Sequence, residues 1–202
     1  MNTKTIAPII LASQSPRRKQ LLEWAEVPFE IIIKETDESF PENLPVNEVA
    51  IHIARNKALA VQAFINKGAH SGKTILAADT IVVLNSEVIG KPKDRGDAIS
   101  MLQKLSGQKH EVITGVVIIA QDSETAFADI TEVEFHPLSE EQIIFYVDKY
   151  APYDKAGAYA IQEWIGVTGI KSVKGDFYNV MGLPVSRVVQ ALAASPSSKA
   201  GI

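Results

Sequence analysis

The chain has 202 residues, 46% of them hydrophobic and 22% charged, a globular composition with room for one sizeable core or two small lobes. A net charge of −4 excludes a general nucleic-acid binder, which needs a field of Lys and Arg to release counterions, so any basic site is local. With no cysteine, disulfides, thiolate catalysis and Cys-type zinc sites are excluded. Met1 to Pro8 lacks a signal-peptide pattern, and no run approaches the roughly 20 apolar residues of a spanning helix. The expectation is a cytoplasmic protein without a membrane partner.

Ile9 to Ala12 is a short, continuously apolar run, as expected of a strand buried on both faces. Ser13-Gln14-Ser15-Pro16-Arg17-Arg18 follows and opens a helix to about Ala25, with Leu21, Leu22 and Ala25 inward. Ser15 is a natural N-cap and Pro16 suits the first helical position, where its missing N–H has no intrahelical partner. Arg17, Arg18 and Lys19 oppose the helix macrodipole, a cost that a bound polyanion would reverse. Backbone N–H groups, the hydroxyls of Ser13 and Ser15 and two guanidinium forks would then converge on a phosphate. Arg-Arg alone would read as a solvated first turn; the strand, the Ser-x-Ser-Pro turn and the arginines together favour the anion site.

Val27-Pro28 turns the chain into a second strand, Phe29 to Ile33, followed by the acidic loop Lys34 to Glu38, which Pro41 and Pro45 keep from becoming helix. From Val46 to about Lys67 the pattern is helical, with Val46, Ala50, Ile53, Ala60 and Phe64 inward and Gly68 as a stop. Lys57 falls on the same stripe, where a lysine must snorkel, pair or face a ligand. Thr74 to Leu84 is a strand that Asp79 interrupts with a carboxylate, and such a group needs a metal, a cation or several N–H donors.

Asn85-Ser86 reads as a hairpin turn into Glu87-Val88-Ile89, and Gly90-Lys91-Pro92 then places a second lysine at a strand end. Asp94 can cap a helix reaching Leu105 and closed by Gly107. His110 to Ala120 and Thr125 to Phe135, joined by a turn at Gln121 to Glu124, suit an antiparallel hairpin with one wet face. Ser139 to Gln142 has capping-box spacing and opens a helix to about Lys149. Ala156 to Gln162 is a small-residue segment that admits another backbone or a flat ligand. Gly166 to Gly175 reads as a turn-rich connector, Val185 to Ala194 as the last helix, and Ser195 to Ile202 as a frayed tail.

Two motif fragments fail. Ser71-Gly72-Lys73-Thr74 lacks the P-loop's upstream glycine, since position 67 is Lys67, and precedes a strand. His110-Glu111 has Thr114 where a zinc protease needs its second histidine, and the four histidines show no metal-ligand spacing. What survives is Ser13, Ser15, Arg17, Arg18, Lys57 and Lys91, with the carboxylates Glu38 and Asp79. Cations neutralise phosphate oxygens, and Glu38 and Asp79 are candidate ligands for Mg²⁺ or Mn²⁺, so the set suits a nucleoside triphosphate with a divalent metal. A remaining carboxylate could deprotonate a water for in-line attack on phosphorus.

Leu-Ala-Ser-Gln-Ser-Pro-Arg-Arg at 11–18, Ala77-Ala78-Asp79-Thr80, Gly90-Lys91-Pro92 and Asp154-Lys155-Ala156-Gly157-Ala158-Tyr159-Ala160-Ile161-Gln162, in this order, resemble the Maf family of nucleoside triphosphate pyrophosphatases from Ile9 to about Leu192. The resemblance implies an α/β fold of the Maf and inosine-triphosphatase type: an elongated mixed sheet flanked by helices, with a cleft between two lobes. It implies one nucleotide pyrophosphatase domain over residues 1–202, homodimers, and cleavage between the α and β phosphates. By position it implies phosphate contacts from Ser13, Arg17 and Arg18, a site completed by Glu38, Lys57 and Lys91, and Asp79 as proton acceptor. Arg17, Thr80 and Gln162 match positions tied to substrate choice, and the last motif resembles the branch acting on dTTP and UTP. Gln162 can offer a donor and an acceptor to the O4 and N3–H edge shared by thymine and uracil. Ala160 departs from an expected glycine, adding a methyl near the base pocket.

Two rival classes differ in chemistry. One is a nucleotide-binding regulator of septum formation; the other is a house-cleaning pyrophosphatase for 7-methyl-GTP or ITP-type nucleotides. The retained carboxylates argue against pure binding, because a polyanion site gains little from Asp79 without a metal or a proton transfer.

Overall fold

In the computed structural model, which describes residues 6–66, 70–121 and 123–194, the first apolar run forms β1 (Ile9–Leu11), buried along its whole length. It pairs in parallel with β2 (Phe29–Ile31) on one side and β3 (Ile75–Leu84) on the other. A strand between two parallel neighbours has no wet face, so alternation is absent from its sequence. The crossovers are α1 (Pro16–Trp24) and α2 (Val46–Ile65). β4 (Glu87–Ile89) folds back antiparallel on β3 through Asn85 and Ser86, both at positive φ (51° and 68°) as a two-residue primed hairpin turn requires.

α3 (Arg95–Leu105) starts at Asp94, whose carboxylate accepts from the Asp97 N–H. β5 (Lys109–Ala120) and β6 (Ser123–Phe135) follow, then α4 (Glu140–Tyr150), whose Ser139–Gln142 capping box is fully formed. A single 3₁₀ turn at Ala156–Ala158, α5 (Trp164–Gly169), β7 (Ile170–Lys174), α6 (Phe177–Met181) and α7 (Val185–Ala194) complete the chain. The strands form one seven-stranded mixed sheet in the order β2-β1-β3-β5-β6-β7, with β4 on β3, so the expected mixed α/β architecture holds. No helix among the described residues is long and apolar enough to cross a membrane.

The chain divides into two compact units, one ending at Asp79 and resuming over Thr114–Ala128 and from Gly182 on, the other comprising Thr80–Ile113 and Asp129–Met181. In the first, α2 lays Ala54, Ala58, Val61 and Ile65 against Ile10, Ile75, Ala77 and Val117 of the strands. Its backbone comes so close to β5 that a Cβ on Gly115 would lie 2.2 Å from the Ile51 nitrogen. Only glycine permits that approach. In the second unit, Leu102, Leu105, Phe135, Tyr146, Val147 and Tyr159 form the core.

Four expectations are corrected. Phe64 is 57% exposed and lies under the Lys34 ammonium, 3.5 Å from the ring centroid, because the buried stripe of α2 ends on Val61 and Ile65 instead. β5 has no regular wet face: from Val112 to Ala120 it is buried throughout as an interior strand, and only β6 retains polar alternation. Gly166 to Gly175 is not a connector but α5 and β7; a six-residue helix is too short to show a period, and β7 is an exposed edge strand held by pairing to β6 rather than by apolar residues. Ser15 occupies the N-cap position, yet its hydroxyl makes no capping hydrogen bond. The Lys67-Gly68 helix stop and the Ser195 to Ile202 tail lie outside the described residues.

Replacing Gly115 by Ala forces α2 off β5, a backbone clash costing at least the roughly 1–3 kcal/mol of core overpacking. Urea denaturation of Gly115→Ala checks it, with an unchanged midpoint counting against the close approach.

Candidate functional site

The first unit gathers most of the predicted residues by simple local rules. β1 ends at Leu11, and Ala12 continues its ladder through an N–H donated to the Leu76 carbonyl. Ser13, 7% exposed, then turns its Oγ back to accept from the Ser15 N–H at 3.3 Å and from Arg18 Nη1 at 3.0 Å. Arg18 Nε donates to the Gly182 carbonyl at 2.8 Å. The guanidinium is thus folded inward, 8% exposed, rather than solvated as an isolated Arg-Arg pair would be. Burial pulls its pKa below the ordinary arginine value, while attraction to Asp79 and Glu38 opposes that pull and repulsion from Arg17 adds to it. Arg17 itself is half-buried.

Lys57 is the centre of the arrangement. It sits on the face of α2 that carries Ile53, Ala54 and Val61, and its Nζ lies 2.7 Å from Asp79 Oδ1 and 2.8 Å from Glu38 Oε1. Of the readings open to this lysine, pairing is the one the structure realises. Asp79 comes from the middle of β3, and its side chain is 11% exposed. Glu38 comes from the loop between β2 and α2 and is 49% exposed. That loop is ordered locally, since Asp37 accepts from both the N–H and the hydroxyl of Ser39 at 2.9 and 2.7 Å, and Leu44 N–H closes a turn on the Pro41 carbonyl. The two acids are therefore presented to one ammonium from two different elements.

Ser13, Arg18, Glu38, Lys57 and Asp79 are linked in this way within one unit, with Arg17 adjacent and Ser15 at the head of α1. The others lie in the second unit. Thr80 is its first residue and half-buried, Lys91 is exposed just beyond β4, and Gln162 is exposed just after the buried Ile161. The small residues before Gln162 serve backbone approach: Gly157, at φ 67°, donates its N–H to the Gly90 carbonyl, and a Cβ there would meet Val82 at 3.0 Å. Ala160 is 5% exposed.

Sequence reasoning missed the Gly182 carbonyl that anchors Arg18. It also missed Tyr146 and Glu163, which hydrogen-bond one another beside Gln162. A glycine opening a Gly-Leu-Pro turn carries no signal for the first, and the spacing of 17 residues hides the second. Among the described residues no group of three or more His, Asp or Glu side chains could hold a metal ion. Glu38 and Asp79 together offer hard oxygen donors at a place already matched to positive charge.

A family model described as Maf-like protein matches residues 8–195. The chain is 51% identical over 184 residues to the dTTP/UTP pyrophosphatase of Cytophaga hutchinsonii, covering 91% of this chain and 82% of the relative. It is 46% identical to the protein of the same name in Bacteroides thetaiotaomicron, covering 89% and 92%, and 48% identical to that of Halalkalibacterium halodurans, covering 92% and 94%. The Staphylococcus aureus Ham1 protein aligns with a TM-score of 0.43 at 16% identity over 64% of this chain and 72% of that one, a likeness too slight to carry an argument.

Removing the ammonium leaves two carboxylates facing each other with no cation between them. Lys57→Met is expected to lower stability by about 1–3 kcal/mol at neutral pH, less than a fully buried pair would lose because Glu38 is half exposed. Combining it with Asp79→Asn relieves part of that loss. A denaturation double-mutant cycle reads the coupling, and strictly additive effects would show that the bridge contributes nothing.

Proposed function

Because this chain belongs to the family of Maf-like proteins, we propose that it is a nucleoside triphosphate pyrophosphatase acting on dTTP and UTP and releasing the monophosphate and pyrophosphate. The observation that carries the reading is Lys57 bridging Asp79 and Glu38 beside the inward-folded Arg18. Cations and placed carboxylates side by side are what phosphoryl transfer requires of a protein, since its catalysis is mainly positioning and charge neutralisation. The names of the relatives support the substrate.

In this reading Ser13, Ser15, Arg17, Arg18 and the first N–H groups of α1 receive phosphate oxygens, with Lys57 and Lys91 adding ammonium groups. The guanidinium of Arg18 is preorganised by Ser13 and Gly182, so little is lost in ordering it on binding. Asp79 accepts a proton from the attacking water as the water oxygen bonds to phosphorus and the bond to the departing pyrophosphate oxygen breaks. Lys57 holds one oxygen of that carboxylate and so fixes its orientation. Glu38 and Asp79 would hold a Mg²⁺ or Mn²⁺ ion, hard oxygen ligands for a cation that takes one or two carboxylates plus substrate phosphates. When bound, the metal supplies further neutralisation of phosphate charge. Arg17, Thr80 and Gln162 select the base, Gln162 through an amide that both donates and accepts. The same reading takes the enzyme as a cytoplasmic homodimer.

Pyrophosphate release measured on dTTP, UTP, ATP, GTP, ITP and 7-methyl-GTP tests the substrate, with kcat/KM expected to be highest for dTTP and UTP. A purine preference would replace the substrate but keep the enzyme class. Asp79→Asn should fall by about 10²–10⁴-fold in kcat, the worth of general-base catalysis, with the fold intact by circular dichroism. Near-normal turnover would move the proton acceptor elsewhere, and no release by the wild type from any of the six would favour a nucleotide-binding regulator.

Divalent metal is expected to be required. Excess EDTA should abolish release, and Mg²⁺ or Mn²⁺ should restore it; full activity in EDTA would remove the metal from the reading.

A further inference from the structure

Residues 155–163 form an arc tied at both ends and in the middle by groups that the proposed chemistry does not use. At one end the Lys155 ammonium, 10% exposed, sits 2.8 Å from Asp154 Oδ1 and 3.5 Å from Glu163 Oε1. Glu163 stands at the other end, so an ion pair spans the arc. The second Glu163 oxygen accepts from the hydroxyl of Tyr146, which is wholly buried in α4. That hydroxyl in turn accepts from the Ala160 N–H at 3.2 Å. Phenylalanine would fill the same core volume without bringing a polar atom into it, and a buried hydroxyl costs stability unless paired. Glu163 and the Ala160 N–H, which pair with it, are both on the arc.

Two further contacts fix the rest of the arc. The Gly157 N–H donates to the carbonyl of Gly90, next to Lys91. Tyr159 packs edge-on against Phe135 and His110, and its hydroxyl hydrogen-bonds His110 Nε2 at 2.7 Å. Burial pulls His110 down to about 4, so this partner is a neutral imidazole at physiological pH. Gln162 is the exposed residue between the buried Ile161 and the clamped Glu163.

We propose that Tyr146 and Glu163 are positioning residues for nucleotide discrimination, holding the arc so that Gln162 presents its amide to the base in one orientation. The proposal rests on the reading of Gln162 as the base-selecting residue. A site built on hydrogen bonds discriminates strongly only if its donors and acceptors are fixed, because a mobile amide can turn to suit either polarity.

The test is Tyr146→Phe in the full-length enzyme. The ratio of kcat/KM for dTTP to that for ATP should fall about tenfold, through a raised KM for dTTP, with kcat retained within about threefold. Hydrogen exchange at the Ala160 amide should quicken as its acceptor is lost. Added to Gln162→Ala, the same change should cost less than about twofold more, since both act through one contact. Glu163→Gln, which keeps the Tyr146 bond but loses the Lys155 charge partner, should give a smaller loss and serves if Tyr146→Phe does not fold. A purely structural role would lower the melting temperature and leave the ratio unmoved, and an unmoved ratio in a folded variant overturns the proposal. If the wild type prefers a purine, the pyrimidine reading fails on its own and the ratio is taken for the preferred base. A wild type without base preference overturns both.

Discussion

The contact on which the site depends is the ammonium of Lys57 held between Asp79 and Glu38. Each acid comes from a segment that could not place it alone: β3 is apolar apart from Asp79 and Thr80, and Glu38 sits half exposed in its loop. A carboxylate in the middle of a buried strand costs several kcal/mol unless a cation meets it. Lys57 meets it from a helix face that is otherwise core, so the pairing constrains where α2 must lie along β3. The polar cluster and the packing of the first unit are in this sense one problem.

Gly115 is the packing side of that problem. α2 can reach β3 with a lysine of ordinary length because its backbone is allowed against β5 at a position without a side chain. The small residues Ala54, Ala58 and Ala77 act in the same direction, thinning the layer between helix and sheet. Larger residues at those positions would preserve hydrophobicity and lift the ammonium from the carboxylates. Packing at this interface is tuned for distance more than for buried area.

Most of the first unit was legible in the sequence for reasons that can be named. Continuous apolar runs gave β1 and β3, Ser-Pro gave the start of α1, and the misfit residues on apolar patterns, Lys57 and Asp79, proved to be each other's partners. Asn85-Ser86, Asp94 and the Ser139 capping box were equally readable, since each is a local rule with a local partner. What escaped was non-local or edge-exposed. β7 carries Lys, Ser and Val in no apolar register because it is held by a ladder to β6, and α5 and α6 are too short for a period. Phe64 misled because an aromatic at helical spacing reads as core, whereas here it serves as a platform for Lys34. Roles at the site are another matter: the misfit of a lysine and an aspartate in apolar patterns says that each needs a partner but does not choose between phosphate contact and scaffold, and the named roles rest on the resemblance.

The charges of the first unit's cluster nearly balance one another. Within that unit Arg17, Arg18 and Lys57 stand against Asp79 and Glu38, so these groups nearly cancel among themselves. That balance favours folding, because burying Arg18 with no acid nearby would leave a desolvated charge that its hydrogen bonds to Ser13 and Gly182 only partly offset. It also leaves too little surplus positive charge for a triphosphate. Under the proposed function, a divalent cation held by Glu38 and Asp79 would supply the further positive charge, with Lys57 keeping its hold on one oxygen of Asp79. The two acids would then have two uses: they neutralise Lys57 in the structure and would offer their remaining oxygens to that cation.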